Sequence, residues 1–116
     1  MNKYLYIFRN TIEAETEFSN ASPDEMQKEM EFWMTWMGKL REQGRLHGGE
    51  PLKTEGKVVR NSGELITDGP FAEGKEIVGG YLLVEAKDLN EATEMSKECP
   101  IFRNGGNVEV REIAAM

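Results

Sequence analysis

A chain of 116 residues, 39% hydrophobic and 30% charged, has the size of one domain and enough apolar material for one core. Fourteen Lys and Arg against 21 Asp and Glu leave a formal charge of -7, so a phosphate-coated partner meets net repulsion and nucleic acid is not an expected ligand. One Cys and one His cannot supply a disulfide or a Cys/His zinc cluster, no apolar run approaches the ~20 residues that cross a bilayer, and MNKYLYIFRN lacks a cleavage site; the expectation is a single domain over residues 1–116, soluble and cytoplasmic, with no membrane contact, no metal and no cofactor.

Lys3 to Phe8 is rich in aromatic and β-branched side chains, with Tyr4, Tyr6 and Phe8 on one side and Leu5 and Ile7 on the other, which predicts a strand covered on both faces. Asn10 to Ala21 holds Glu13, Glu15 and Glu17 with little apolar content and reads as a solvated loop. Ser22, Pro23 and Glu25 then make a capping box around a helix that runs to about Gln43, before Gly44. Met26, Met30, Trp33, Met37 and Leu40 form its core seam; Phe32 and Trp36 to one side and Met34 to the other widen the apolar arc to roughly 200°, so more than one face should be buried.

Arg45 to Leu52 predicts a strand ending at Pro51, and Lys57 to Val59 with Glu64 to Thr67 a small hairpin about Asn61, Ser62 and Gly63. Ile77 to Ala86, with Tyr81, Leu82, Leu83 and Val84 in a row, predicts a central strand. Asp88 and Glu91 open a second helix near Leu89 to Glu98, with Leu89, Ala92, Ser96 and Cys99 on one face and Pro100 as its stop. Val108 and Val110 alternate with Glu109 and Arg111 in a half-exposed last strand that reaches Ile113. The order is the ferredoxin-like split βαβ plan, an α+β fold whose antiparallel sheet carries both helices on one face. Because Leu5 and Ile7 make the opposite face apolar, a second copy of the chain is its simplest cover, and a homodimer is expected.

Several residues are candidates for a site. Asp68 before Gly69 and Pro70 is first a turn residue, and second a carboxylate offered to a cleft with Phe71 as an apolar wall and Glu73 as a second carboxylate. His47, the only imidazole, precedes Gly48 and Gly49, which would let backbone approach a ligand; the plainer reading is a structural or solvated His. Trp36 with Trp33 could stack on a planar or cationic ligand, although their helical spacing favours packing in the core or between subunits. Cys99, on an apolar helix face, reads as an inert packed thiol, and Gly79-Gly80 lacks the strand-to-helix setting of a phosphate loop.

The stretch Thr67-Asp68-Gly69-Pro70-Phe71-Ala72-Glu73, with Lys75, Glu76, Gly79, Gly80 and Tyr81 after it, resembles the signature of the DGPF branch of the YCII-related family. The two Trp of the first helix, Gly48 with Pro51 and Leu52, Cys99-Pro100 and Val108-Glu109-Val110-Arg111 agree with it, so the resemblance runs from about Tyr4 to Ile113. It implies a dimeric α+β barrel, subunits packed sheet to sheet with a cleft near the signature loop, and a possible functional link to an alternative sigma factor. In the enzymatic side of the family the first helix carries a His paired with an Asp; alignment on Gly44-Arg45-Leu46 puts Trp33 and Cys99 at those places, so that dyad does not carry over. The expectation is a small-molecule-binding or regulatory module with ligand contacts among His47, Asp68, Phe71, Glu73 and Trp36. The alternative is a small isomerase or lyase acting on a cyclic or aromatic substrate, with Asp68, Glu73 or His47 as acid and base.

Overall fold

Alternation along the first strand organises the molecule. In the structure, a computed structural model that describes residues 1–69 and 76–116, strand β1 spans Asn2–Thr11 and turns Tyr4, Tyr6 and Phe8 inward at 0, 0 and 5% exposure. Helix α1 (Ile12–Ser19) follows, then α2 (Pro23–Glu42), β2 (Leu46–Pro51), β3 (Gly56–Arg60), β4 (Leu65–Gly69), β5 (Glu76–Ala86), α3 (Leu89–Ser96) and β6 (Asn107–Glu112). The main sheet has the order β2-β5-β1-β6, all neighbours antiparallel, as the ferredoxin-like plan requires; β3 and β4 form a separate two-stranded arm.

Tyr6 shows where the helices lie. Its ring stacks on Trp36 of α2 at 6.0 Å between centroids, and its hydroxyl donates to the Ala92 carbonyl of α3 at 2.5 Å, so both helices cover the same face. Trp33, Trp36 and Phe8 add edge-to-face contacts, and Leu40, Leu82, Val84, Ala92, Cys99 and Ile101 complete the core. On the other face Leu5, Ile7 and Leu83 are half-buried and Tyr81 is exposed.

The segment expected to be a loop contains α1. Thr11 caps it by accepting the Ala14 N–H at 3.1 Å, and Glu13 and Glu15 stand in its first turn, where the positive helix end favours them. None of its residues is buried, so the helix has caps and helix-favouring residues but no apolar period to read. The seam of α2 is also rotated from the expected one. Trp36 and Leu40 are buried with Trp33 and Met37 beside them, while Met30, a third of a turn from Trp36, is 50% exposed. The stacking surface of the Trp36 indole on Tyr6 decides which face turns inward. Phe32 and Met34 are exposed in the single chain.

The second capping box forms differently from its simplest version. Asp88 accepts the Glu91 N–H at 2.8 Å, but the Glu91 carboxylate turns to the Lys87 N–H at 3.0 Å and to the Arg45 guanidinium, tying α3 to the start of β2. That helix ends at Ser96, two residues before the expected end, and Pro100–Asn104 forms a 3-10 turn closed by Gly105 at φ 78°. The arm turns where the sequence placed it, through left-handed Asn61, Ser62 and Gly63.

Candidate functional site

Strand β5 is longer than its edge partner. Pairing with β2 runs from Leu46 opposite Val84 to Pro51 opposite Gly80, and Leu52 adds one bond from its N–H to the Gly79 carbonyl at 2.9 Å. Beyond that point the chain leaves the sheet to build the arm, and the first residues of β5 face the departing segment. A cavity of about 440 Å³ opens between them, lined by Arg9, Glu76, Ile77 and Val78 on the sheet side and residues 52–58 on the arm side. This volume suits a small molecule, and the lining combines apolar Leu52, Val58, Ile77 and Val78 with charged Arg9, Lys53, Glu55, Lys57 and Glu76.

Two of the charged groups are held in place from outside the cavity. Arg9 pairs with Glu109 of β6, and Glu76 accepts a bond from the Asn107 amide at 2.6 Å. Lys57 donates to Asp68, its register partner across the arm, at 2.5 Å. Asp68 is thus a neighbour of the cavity through Lys57; its own side chain is 90% exposed, and it lies in strand β4. Gly69 lies close to the cavity wall, where a Cβ would fall 3.0 Å from Val58 Cγ2.

His47 lies elsewhere. A bulge between Leu46 and Gly48 turns it toward Glu85, whose Oε1 is 3.3 Å from Nε2. Glu85 is seven residues along β5 from Val78, roughly 23 Å at strand rise, so within one protomer His47 and Asp68 belong to opposite ends of that strand. Trp36 is 4% exposed, and its indole N–H donates to the Met95 carbonyl at 3.2 Å. Its outer edge, with Phe32, Thr35 and Pro100, borders a separate groove of about 410 Å³ on the helix side, so it is not brought to the Asp68 cavity. Phe71 and Glu73 lie outside the described residues.

Arg9, Lys57 and Glu15 are residues that the sequence did not single out as site groups. Glu15 of α1 rests over the bulge in β5, where a Cβ at Gly79 would fall 2.6 Å from its Oε1, and burial pushes its carboxyl above the usual carboxylate range. Gly80 has a different need, since a Cβ would come within 3.0 Å of the Glu50 carbonyl. Gly80 thus lies close against the backbone of β2, whereas Gly79 faces only the movable end of the Glu15 side chain. Cys99 is buried, and loss of solvent pushes its thiol up to about 12. Among the described residues no three His, Cys, Asp or Glu side chains are grouped to hold a metal, and no helix is long and apolar enough to cross a membrane.

Comparison with known proteins joins this geometry to a family. The model of the YCII-related domain matches residues 5–116. No curated protein matches the chain. Among solved structures, the 5-chloro-2-hydroxyhydroquinone dehydrochlorinase TftG of Burkholderia phenoliruptrix AC1100, in complex with 2,5-dihydroxybenzoquinone, is similar, with a TM-score of 0.53 at 14% identity over 100% of this chain and 96% of that one. At that identity the likeness is one of fold.

Proposed function

The chain belongs to the YCII-related family, and we propose that it is a small-molecule-binding module whose ligand occupies the cavity between the free edge of β5 and the base of the arm. The observation that carries this reading is the placement of that cavity. It lies against Glu76, three residues past the end of the signature segment, and against Lys57, which pairs with Asp68 near the segment's start. A ligand there meets an apolar wall and cations already oriented by Glu109 and Asp68, a setting for a small planar molecule with an acidic or hydroxyl group. The similar fold of TftG holds a dihydroxylated ring of that kind, which supports the choice of probe.

Binding is preferred to turnover because the acid and base candidates do not converge among the described residues. His47 faces Glu85 at one end of β5, and Asp68 is spent on Lys57 at the other. The module acts as a homodimer, with the apolar face bearing Leu5, Ile7, Tyr81 and Leu83 covered by a second copy; an apolar sheet face in water is an unusual surface for a monomer. In that setting a functional link to an alternative sigma factor, suggested by the family resemblance, would make ligand occupancy the signal.

The test is a thermal-shift screen of small cyclic and aromatic metabolites, 2,5-dihydroxybenzoquinone included, on the wild type and on Val78→Trp, with mass spectrometry of each binder after incubation. A binder at a hundredfold excess over its Kd stabilises by about 2.7 kcal/mol, several degrees for a chain of this size. The expected result is a binder recovered unchanged whose shift is lost in Val78→Trp, which fills the cavity. Conversion of the compound, or a shift that survives the filling, would contradict the reading.

A further inference from the structure

The two edges of the main sheet are built differently. β2 carries a bulge between Leu46 and Gly48, two glycines in a row and a terminal proline, features that keep an edge strand from accepting another strand. β6, at the other edge, pairs with β1 in unbroken register from Asn107 opposite Arg9 to Glu112 opposite Tyr4, and holds neither glycine nor proline. Among the described residues no strand lies on its outer side.

Hydrogen-bond parity fixes which groups that edge offers. The Ile113 N–H donates to the Lys3 carbonyl at 2.8 Å, continuing the register that sets Glu112 opposite Tyr4. Bonded positions alternate in an antiparallel ladder, so Asn107, Glu109 and Arg111 turn their N–H and C=O groups to β1, while Val108, Val110 and Glu112 turn theirs outward. The side chains alternate between the faces of the sheet: Val108 and Val110 pack against the core, and Glu109 and Arg111 lie on the opposite face. Glu109 is held by Arg9, whereas the Arg111 side chain is 70% exposed and approaches Glu109 at 3.8 Å.

This pattern is complementary to itself. When a second β6 runs antiparallel about a twofold axis at Val110, Val110 exchanges both backbone bonds with the partner's Val110, and Val108 does so with the partner's Glu112. Glu109 then stands opposite the partner's Arg111 in a non-hydrogen-bonded pair, where side chains come closest. The neighbouring registers of the same bonding parity set Glu109 against Glu109 or Arg111 against Arg111, and like charges directly opposite destabilise a sheet. A foreign strand would have to bring the reversed charge order; a second copy brings it by symmetry. We propose that β6 is a pairing edge for a second copy of the chain, joining two four-stranded sheets into one through the twofold register at Val110. The contact uses the edge of the sheet and depends on neither the covering of its apolar face nor the ligand cavity.

The test is sedimentation equilibrium, up to millimolar concentration, of the wild type, of Arg111→Glu, of Glu109→Arg and of an equimolar mixture of the two variants, with wild-type amide exchange read residue by residue over the same range. Each variant alone sets like charges opposite one another and should associate at least tenfold more weakly than the wild type. The mixture sets opposite charges together and should recover the association. In the wild type the Val108, Val110 and Glu112 amides should gain protection as concentration rises, while those of Glu109 and Arg111, bonded to β1, stay protected throughout. Because Glu109→Arg also takes the carboxylate from Arg9, the wild-type exchange pattern decides the matter even where that variant fails to fold. A wild type that stays at 13.2 kDa at all concentrations overturns the proposal. Association in which the outward amides exchange freely, or in which both variants associate as tightly as the wild type, also overturns it and leaves the face-covering dimer standing.

Discussion

Two ionisable side chains show how burial and hydrogen bonding set local chemistry. Cys99 is 3% exposed and its thiol is pushed up to about 12, so almost none of it is thiolate at pH 8 in the native protein. Iodoacetamide at pH 8 should leave the folded chain unlabelled while the urea-denatured chain labels fully, as read by intact mass. Since the folded thiol titrates above the unfolded one, the stability tied to its protonated state is complete below about pH 8.5 and is lost as pH rises toward 12. Glu91 works in the other direction. The Lys87 N–H and then the Arg45 guanidinium favour its charged form and hold its carboxyl below the usual range. Its contribution is present above the unfolded carboxylate value and lost as pH falls through the folded one. Glu91→Gln should therefore be less stable than wild type at pH 7, with the gap narrowing below about pH 4, as urea melts at the two pH values would show.

The strands and helices carry their own tests. Gly49 lies where β2 crosses β5 so closely that a Cβ would fall 2.3 Å from the Tyr81 carbonyl oxygen and 2.9 Å from the Leu82 Cα, with φ at +156°. Gly48 has a similar φ of +149° but nothing within 4 Å of its Cβ position. Gly49→Ala should cost about 3 kcal/mol or more and Gly48→Ala about 1 kcal/mol, a contrast that thermal melts resolve. Thr11→Ala removes the cap of α1 and should cost about 1 kcal/mol. These elements also show what a single sequence can express. The six strands and the two core helices were legible because their apolar periods and capping residues coincide, as at Ser22 with Glu25 and at Asp88 with Glu91. Helix α1 was not, because none of its residues is fully buried and it leaves no apolar period. The rotated seam of α2 was not either, since only the shape of the Tyr6 surface distinguishes Trp36 from Met30 as the inward residue. The site was legible in outline: the segment beginning at Asp68 marks the neighbourhood of the cavity. Lys57 and Arg9 could be placed there only through arm register and sheet order, and His47 was turned away by a bulge.

Across the subunit, aromatic packing fills the helix-covered face of the sheet, and a cavity opens where the longest strand outruns its neighbour and the arm departs. The proposed binding site lies at the first residues of β5, away from the helix-side core. It follows that filling the helix-side groove, for example by Thr35→Trp, should leave binding at the other cavity within about twofold, since distant sites with no shared partners act nearly additively. Calorimetric titration of any compound found in the screen would check this. The most direct measurement is the map of backbone amide shifts in a ¹⁵N-labelled sample titrated with 2,5-dihydroxybenzoquinone and with the best compound from the metabolite screen. The proposed binding site predicts saturable shifts concentrated at Arg9, residues 53–58 and Glu76 to Val78, absent in Val78→Trp. Shifts centred on Phe32, Thr35 and Trp36 of the helix-side groove, or no saturable shift with any compound, would contradict it.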